Sequence, residues 1–117
     1  MQFLRALMGT PTPSLSAMEA QARLKQAQPP FLLDVRTAAE FRDAHIQGAV
    51  LIPLDELEDR LAEVPRERAI ICVCRSGSRS GMATSQLVRA GYDASNLQGG
   101  MIAWGMAGLP VKKGKGR

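Results

Sequence analysis

Short apolar runs alternate with helical patterns along this chain, and that alternation limits the folds open to it. Residues 31–35, 49–52 and 69–73 form the clearest runs. Their nearly continuous apolar character is typical of strands that are buried on both faces of a parallel sheet. A helical pattern follows each run and can serve as the crossover that parallel strands need. The sequence therefore predicts an α/β fold with a mainly parallel sheet.

Two capping boxes mark the predicted N-termini of the first two helices. Ser16 with Glu19, and Thr37 with Glu40, have the spacing at which a hydroxyl and a carboxylate cap a helix N-terminus reciprocally. The first helix is expected to run to about Gln26, before a pair of prolines.

The second half of the chain predicts three more helical segments. A surface helix is expected where apolar side chains recur at Leu54, Leu57, Leu61 and Val64. Another helix follows residues 74–80 and is expected to stop at Gly91. Residues 95–98 read as a short strand, and a last helical turn carries Trp104.

The length of 117 residues fits one domain, and the charge is unevenly placed. We expect a lead-in at residues 1–14, the domain at 15–111, and a basic, disordered tail at 112–117. The tail carries four of the 15 basic residues, and the other 11 match the 11 acidic ones. No aromatic residue interleaves the tail and no apolar run reaches membrane length. We therefore expect neither a nucleic-acid nor a membrane partner.

The cysteine and histidine counts indicate a reduced protein without a metal. Cys72 and Cys74 lie too close together along one strand for good disulfide geometry, which favours a cytoplasmic location. With His45 they supply one ligand too few for tetrahedral zinc. No cofactor is predicted.

Cys74 is the candidate nucleophile. It ends an apolar run and opens a small polar loop that runs directly into a helix. Backbone N–H groups converge in such a turn, and the helix adds the positive end of its dipole. Both effects favour a thiolate over a thiol. Cys72 lies inside the strand, where packing is the expected role.

Several motifs occur together in an order that resembles the rhodanese family of sulfurtransferases. The resemblance covers about Pro30 to Val111. Its motifs are Leu33-Asp34-Val35-Arg36, Glu40-Phe41, His45-Ile46-Gln47-Gly48-Ala49, Ile52-Pro53, Cys74-Arg75-Ser76-Gly77-Ser78-Arg79-Ser80, Gly99-Gly100-Met101-Ile102-Ala103-Trp104 and Gly108-Leu109-Pro110-Val111. Ala44 departs from the pattern, since the family usually has glycine there. The resemblance implies a single-domain member with a three-layer fold and a five-stranded sheet.

The resemblance also implies a mechanism in which a sulfane sulfur passes from a donor to Cys74 and then to a thiol or cyanide. Backbone amides of the loop can hold the outer sulfur, and two arginines can hold an anionic donor such as thiosulfate. The predicted substrate-binding residues are Arg75, Ser76, Gly77, Ser78, Arg79 and Ser80. A persulfide or polysulfide is the other expected donor, and a protein can serve as the acceptor.

Residues outside the cysteine loop are expected to support it or the fold. Asp34 and Arg36 close the first strand at the sheet edge where ligand sites gather. They are expected either to brace the cysteine loop or to form a structural ion pair. His45 resembles a structural position of the family, and Trp104 is expected in the core.

Three other functions stay open at the level of sequence. A cysteine phosphatase or arsenate reductase of the same fold would use a similar loop, although related phosphatase loops place one more residue between cysteine and arginine. A binding module of this fold would be expected to lack Cys74. A donor of the mercapto-acid type would suit a neutral loop, whereas Arg75 and Arg79 make this loop cationic.

Overall fold

The computed structural model describes residues 12–115, which form a single α/β unit. Its five strands are β1 Ser14–Leu15, β2 Phe31–Asp34, β3 Val50–Leu51, β4 Ile70–Val73 and β5 Ala94–Leu97. They build one sheet in the order β1-β5-β4-β2-β3, and every pairing is parallel. The predicted α/β class and five-stranded sheet are confirmed.

Within residues 12–115, four α-helices and two 3-10 helices lie between or after the strands. The α-helices are α1 Ala17–Leu24, α2 Ala38–Asp43, α3 Ser78–Arg89 and α4 Gly100–Met106, and the 3-10 helices are Leu54–Glu56 and Glu58–Glu63. Both predicted capping boxes are present at the starts of α1 and α2. Gly91 follows α3 with a φ of 94°, the left-handed conformation that suits a helix stop.

The strands at the centre of the sheet separate two apolar clusters, because successive side chains point to opposite faces. On one face, Leu33, Ile70 and Cys72 pack with side chains of α3 and the 3-10 helices. On the other face, Ile71 and Val73 pack with α1 and α4. Helices therefore cover both faces, which gives three layers.

The surface helix predicted over residues 54–64 differs from the structure in its type. Two 3-10 helices occupy the segment, and Arg60 leaves helical geometry with φ −118° and ψ 20°. Leu57 and Val64 still point inward and are buried. The apolar spacing of three and four residues is that of an α-helix, and it reports which side chains face inward but not the break at Arg60 that divides the segment.

Both ends of the domain extend beyond their expected boundaries. Ser14, placed in the lead-in, pairs with Asn96 as part of β1. Lys112, placed in the disordered tail, exchanges two backbone hydrogen bonds of 2.8 Å with His45. The Gly114 N–H donates to the Arg42 carbonyl, also at 2.8 Å. These contacts use the backbone, which every residue carries, so the apolar pattern gives no sign of them.

Within residues 12–115, no helix combines the length and the apolar character needed to cross a membrane.

Candidate active site

Cys74 follows the carboxyl end of β4, at the edge where parallel strands place ligand sites. Only 1% of the residue is exposed, so its sulfur lies at the base of the loop. Arg75, Ser76 and Ser78 are exposed around it. Gly77 caps α3 in the left-handed conformation, with a φ of 101°. The chain thus turns sharply from the strand into a helix whose N-terminus lies beside the sulfur.

Two donors contact the Cys74 sulfur. The Gly77 N–H donates to Sγ at 3.1 Å and the Ser80 hydroxyl lies 3.2 Å from it. Burial alone raises the pKa of Cys74. The Ser80 hydroxyl and the backbone N–H groups of Ser80, Gly77 and Ser76 oppose it, and the net pKa lies below the usual value. The loop therefore favours the thiolate, which is the nucleophilic form.

The first turn of α4 orients the peptide groups of the loop. The Met101 and Ile102 N–H groups donate to the carbonyls of Cys74 and Arg75, at 2.8 and 3.0 Å. These carbonyls point toward α4, so the N–H groups on the same peptide planes point the opposite way. Gly100 permits the contact, because a Cβ there would lie 2.6 Å from the Arg75 oxygen.

Asn96 completes the site, and the sequence analysis did not identify it. It lies on β5 in register with Cys72 of β4. Its Oδ1 accepts from the Ser80 hydroxyl at 2.6 Å, and its Nδ2 donates to the Gly77 carbonyl at 3.1 Å. Asn96 therefore contacts both residues that donate to Cys74. The available signal was a polar side chain in a short predicted strand. The sequence does not show that β4 and β5 are neighbours in the sheet.

The two loop arginines have different surroundings. Arg79 makes a two-pronged ion pair with Glu40 of α2, at 2.8 and 2.9 Å. The sequence analysis expected Arg79 to hold an anionic donor, whereas in the structure its guanidinium pairs with a carboxylate of the protein. The hydrogen bond from Arg79 is the main cause that lowers the pKa of Glu40 to about 2. Arg75 is exposed, and its side chain has no hydrogen bond or ion pair within residues 12–115.

Asp34 and Arg36 form the structural ion pair that was one of the two expected arrangements. Arg36 Nη2 lies 2.8 Å from Asp34 Oδ2, and both side chains are buried. The same nitrogen donates to the Ala44 carbonyl at 2.7 Å, just past α2. The pair thus anchors the end of the helix that carries Glu40. In the described chain neither residue hydrogen-bonds to residues 74–80.

Cys72 is packed in the sheet core and has no solvent exposure. Burial raises its pKa to about 12, so it stays a neutral thiol at ordinary pH. This agrees with the packing role expected from its place inside the strand.

Neither His45 nor Trp104 hydrogen-bonds to the Cys74 sulfur in the described part of the chain. His45 stacks on Phe41 with a 3.9 Å centroid separation, and its Nδ1 donates to the Phe41 carbonyl at 2.8 Å. Trp104 is buried in the cluster beneath α1 and α4, and its Nε1 donates to the Pro110 carbonyl at 2.9 Å. Both residues are structural. Among residues 12–115 no three potential metal-ligating side chains gather in one place.

Comparisons with known proteins agree with this architecture. The family model of the rhodanese-like domain matches residues 16–107. A protein of Allochromatium vinosum named sulfurtransferase is 39% identical over 90 residues, which cover 76% of this chain and 84% of that relative.

Solved structures lead to the same group. A rhodanese-related protein from Thermoplasma volcanium superposes with a TM-score of 0.80 and 27% identity, covering 86% of this chain and 97% of that one. A thiosulfate sulfurtransferase from Pseudomonas aeruginosa superposes with a TM-score of 0.82 and 32% identity. The matched region covers 99% of this chain and 22% of that protein. The chain belongs to the rhodanese-like domain family.

Proposed function

We propose that the protein is a sulfurtransferase that carries a sulfane sulfur on Cys74. The observation that supports this most is the pair of donors on its sulfur, Gly77 N–H at 3.1 Å and the Ser80 hydroxyl at 3.2 Å. They stabilise a thiolate without a histidine. A thiolate that attacks sulfur needs no base to take a proton from the substrate, so the proposed chemistry does not require a histidine.

The reaction has two steps. The Cys74 thiolate attacks the outer sulfur of thiosulfate, the S–S bond breaks, and sulfite leaves with the bonding electrons. A thiolate or cyanide then attacks the outer sulfur of the Cys74 persulfide. The new persulfide or thiocyanate departs and the Cys74 thiolate returns. No external oxidant or reductant enters either step.

The narrow access to Cys74 favours donors with a terminal sulfur. Because the residue is 1% exposed, a donor must reach it with a single projecting atom. Thiosulfate, persulfides and polysulfides all carry such an atom, whereas a tetrahedral phosphate is broad at its reacting centre. This supports sulfur transfer over phosphatase chemistry. The relative named thiosulfate sulfurtransferase supports thiosulfate as one donor.

Arg75 is the residue we assign to an anionic donor. Arg75 directly follows Cys74 in the chain and is exposed, while both terminal nitrogens of Arg79 already contact Glu40. The Gly77 N–H already contacts the Cys74 sulfur, and we propose that it and the neighbouring backbone amides of Ser76 and Ser80 hold the transferred sulfur. We further propose a reducing compartment such as the cytoplasm, because Cys74 must be reduced to accept sulfur.

Intact-mass measurement tests the proposal. The reduced protein is incubated with thiosulfate, polysulfide or a small alkyl persulfide, and then with cyanide. We expect a gain of one sulfur atom that cyanide removes, with thiocyanate formed. Cys74→Ser should gain none, while Cys72→Ser should load normally. A protein that gains no sulfur from any donor would be a binding module and would refute the proposal.

A further inference from the structure

The hydroxyl of Ser80 faces two acceptors but has a single hydrogen. Its Oγ lies 2.6 Å from Asn96 Oδ1 and 3.2 Å from Cys74 Sγ. A serine hydroxyl can donate one hydrogen bond and accept two. The hydrogen must therefore go to the amide oxygen or to the sulfur, and the two acceptors compete for it.

The orientation of the Asn96 amide is fixed independently of Ser80. Its Nδ2 lies 3.1 Å from the Gly77 carbonyl oxygen, which can only accept. If the amide were flipped, two carbonyl oxygens would face each other and repel. Oδ1 therefore faces Ser80, where it can accept a hydrogen bond and cannot donate one.

The protonation state of Cys74 decides between the two acceptors. A neutral thiol is a weak acceptor, so the hydrogen goes to the closer Asn96 oxygen. A thiolate is charged, and a hydrogen bond to a charged acceptor is stronger than one to a neutral acceptor. When the thiol proton leaves to solvent, the hydroxyl can rotate about its Cβ–Oγ bond and donate to sulfur. No O–H bond breaks.

We propose that Asn96 is a positioning residue that holds the Ser80 hydrogen while Cys74 is a thiol and releases it to sulfur when Cys74 is a thiolate. The proposal rests on the proposed role of Cys74 as the reacting sulfur. A neutral amide suits this task, because it is an acceptor strong enough to orient the hydroxyl and weak enough to release it. An ionised carboxylate at position 96 would keep the hydrogen.

Few other charges face the sulfur. Cys72 lies on the same strand and is neutral, since burial raises its pKa. Arg75, the next residue in the loop, is exposed. Arg79 lies at the start of α3 and is paired with Glu40 of α2, while Asp34 of β2 is paired with Arg36. All of these groups remain unchanged in the variants that follow, so differences between variants report on Asn96 and Ser80.

Alkylation of Cys74 by iodoacetamide across a range of pH tests the proposal, with peptide mass spectrometry to locate the label. The reaction reports the thiolate and does not require sulfur transfer, so failure of the proposed function would be seen separately. We expect Asn96→Asp to move the pH profile upward and to slow alkylation about two- to tenfold at a fixed pH below the midpoint. This is the range expected for losing one hydrogen bond.

The decisive comparison introduces Asn96→Asp into a protein that already carries Ser80→Ala. A carboxylate also acts through space, and that part persists when the hydroxyl is absent. We expect the slowing factor to be clearly smaller in the Ser80→Ala background. Equal factors in the two backgrounds would overturn the proposal, because Asn96→Asp would then act by its charge or by its lost hydrogen bond to the Gly77 carbonyl, and not through the Ser80 hydroxyl.

Asn96→Leu provides a neutral variant of similar shape. It removes the acceptor that competes with the sulfur, so alkylation should be faster than in the parent protein, which is opposite to the effect of Asn96→Asp. In the Ser80→Ala background Asn96→Leu should speed alkylation less. Equal factors in both backgrounds would again overturn the proposal. Circular dichroism checks folding, and loss of the fold in both variants would count against the proposal, because Asn96 would then serve the fold and not the sulfur.

Discussion

Arg79 and Glu40 form an ion pair that joins the start of α3 to α2. The Nη1–Oε1 and Nη2–Oε2 distances are 2.8 and 2.9 Å, and Glu40 Oε1 also accepts hydrogen bonds from Thr37. The cation that sequence analysis assigned to a substrate is therefore held by a carboxylate. Arg75, the residue after Cys74, is exposed and its side chain has no ion pair within residues 12–115, so the two arginines should respond differently to mutation.

Arg75→Ala is expected to weaken the use of thiosulfate selectively. An exposed ionic contact contributes at most about 1 kcal/mol, so kcat/KM for thiosulfate should fall roughly two- to fivefold. A small alkyl persulfide has no sulfonate and should be affected less. Steady-state kinetics with the two donors measure the difference. Arg79→Ala is the matched control, and it should lower stability and affect both donors alike. Equal losses for both donors in Arg75→Ala would contradict the assignment.

Glu40 should make the protein sensitive to acid. The pKa of Glu40 is lowered to about 2 by its hydrogen bond from Arg79, below the value near 4.3 expected in an unfolded chain. The unfolded state then binds the proton more readily. The stability from this group is present above about pH 4.5 and is lost as the pH falls toward 2.

Glu40→Gln tests that dependence. The variant keeps an oxygen for the helix cap and removes the charge, so it should be less stable near neutral pH by about 1 kcal/mol. Its stability should also fall less than that of the parent between about pH 5 and pH 2. Urea unfolding at several pH values measures both effects. Parallel curves for the two proteins would show that the ion pair does not contribute.

Gly100→Ala is expected to disrupt the loop. Gly100 has a φ of 57°, and an added Cβ would collide with the Cys74 carbonyl and lie 2.6 Å from the Arg75 oxygen. We expect a loss of at least about 2 kcal/mol in unfolding free energy, together with loss of sulfur transfer.

Gly105→Ala is the matched control on the same helix. An added Cβ there meets nothing within 4 Å, and alanine is the better helix former. Urea unfolding should show Gly105→Ala unchanged or up to about 1 kcal/mol more stable. Similar stability of both variants would mean that the close approach of α4 to the loop is not required.

The sequence predicted local structure well because apolar runs and capping boxes act over a few residues. The strands containing Leu33 and Ile71 and the loop after Cys74 could be located for that reason. Contacts between distant elements could not be found in this way. Asn96 meets Ser80 because β5 lies beside β4, and Glu40 meets Arg79 because α2 lies near the start of α3. Neither arrangement follows from a local pattern.

Variants of the two cysteines should lose different properties, because Cys74 is proposed to react and Cys72 packs in the core. Cys74→Ser is expected to abolish sulfur transfer, since a serine alkoxide is not accessible near neutral pH. Cys72→Ser should keep most of the activity, because Cys72 is buried and burial raises its pKa to about 12. The Cys72→Ser variant should lose about 1–3 kcal/mol of unfolding free energy, because the substitution places a hydroxyl in the core. Sulfur-transfer assays and urea unfolding measure the two effects. Turnover by Cys74→Ser would contradict the mechanism.

Removal of residues 112–117 should lower stability while leaving the chemistry of small donors largely intact. The truncation removes the two hydrogen bonds between Lys112 and His45 and the one from Gly114 to Arg42. Backbone hydrogen bonds contribute about 0.5–1.5 kcal/mol each, so we expect a loss of about 1–3 kcal/mol after partial replacement by water. Neither Lys112 nor Gly114 contacts the Cys74 sulfur, so kcat/KM for thiosulfate should stay within about twofold.

Thermal unfolding of the full chain, this truncation and a shorter one lacking only residues 116–117 measures the effect. The shorter truncation keeps all three hydrogen bonds and should unfold at the same temperature as the full chain. Equal Tm values for all three proteins would show that the pairing of Lys112 with His45 adds nothing to stability. A large loss of thiosulfate activity at the same time as normal stability would instead show that the basic segment takes part in the reaction.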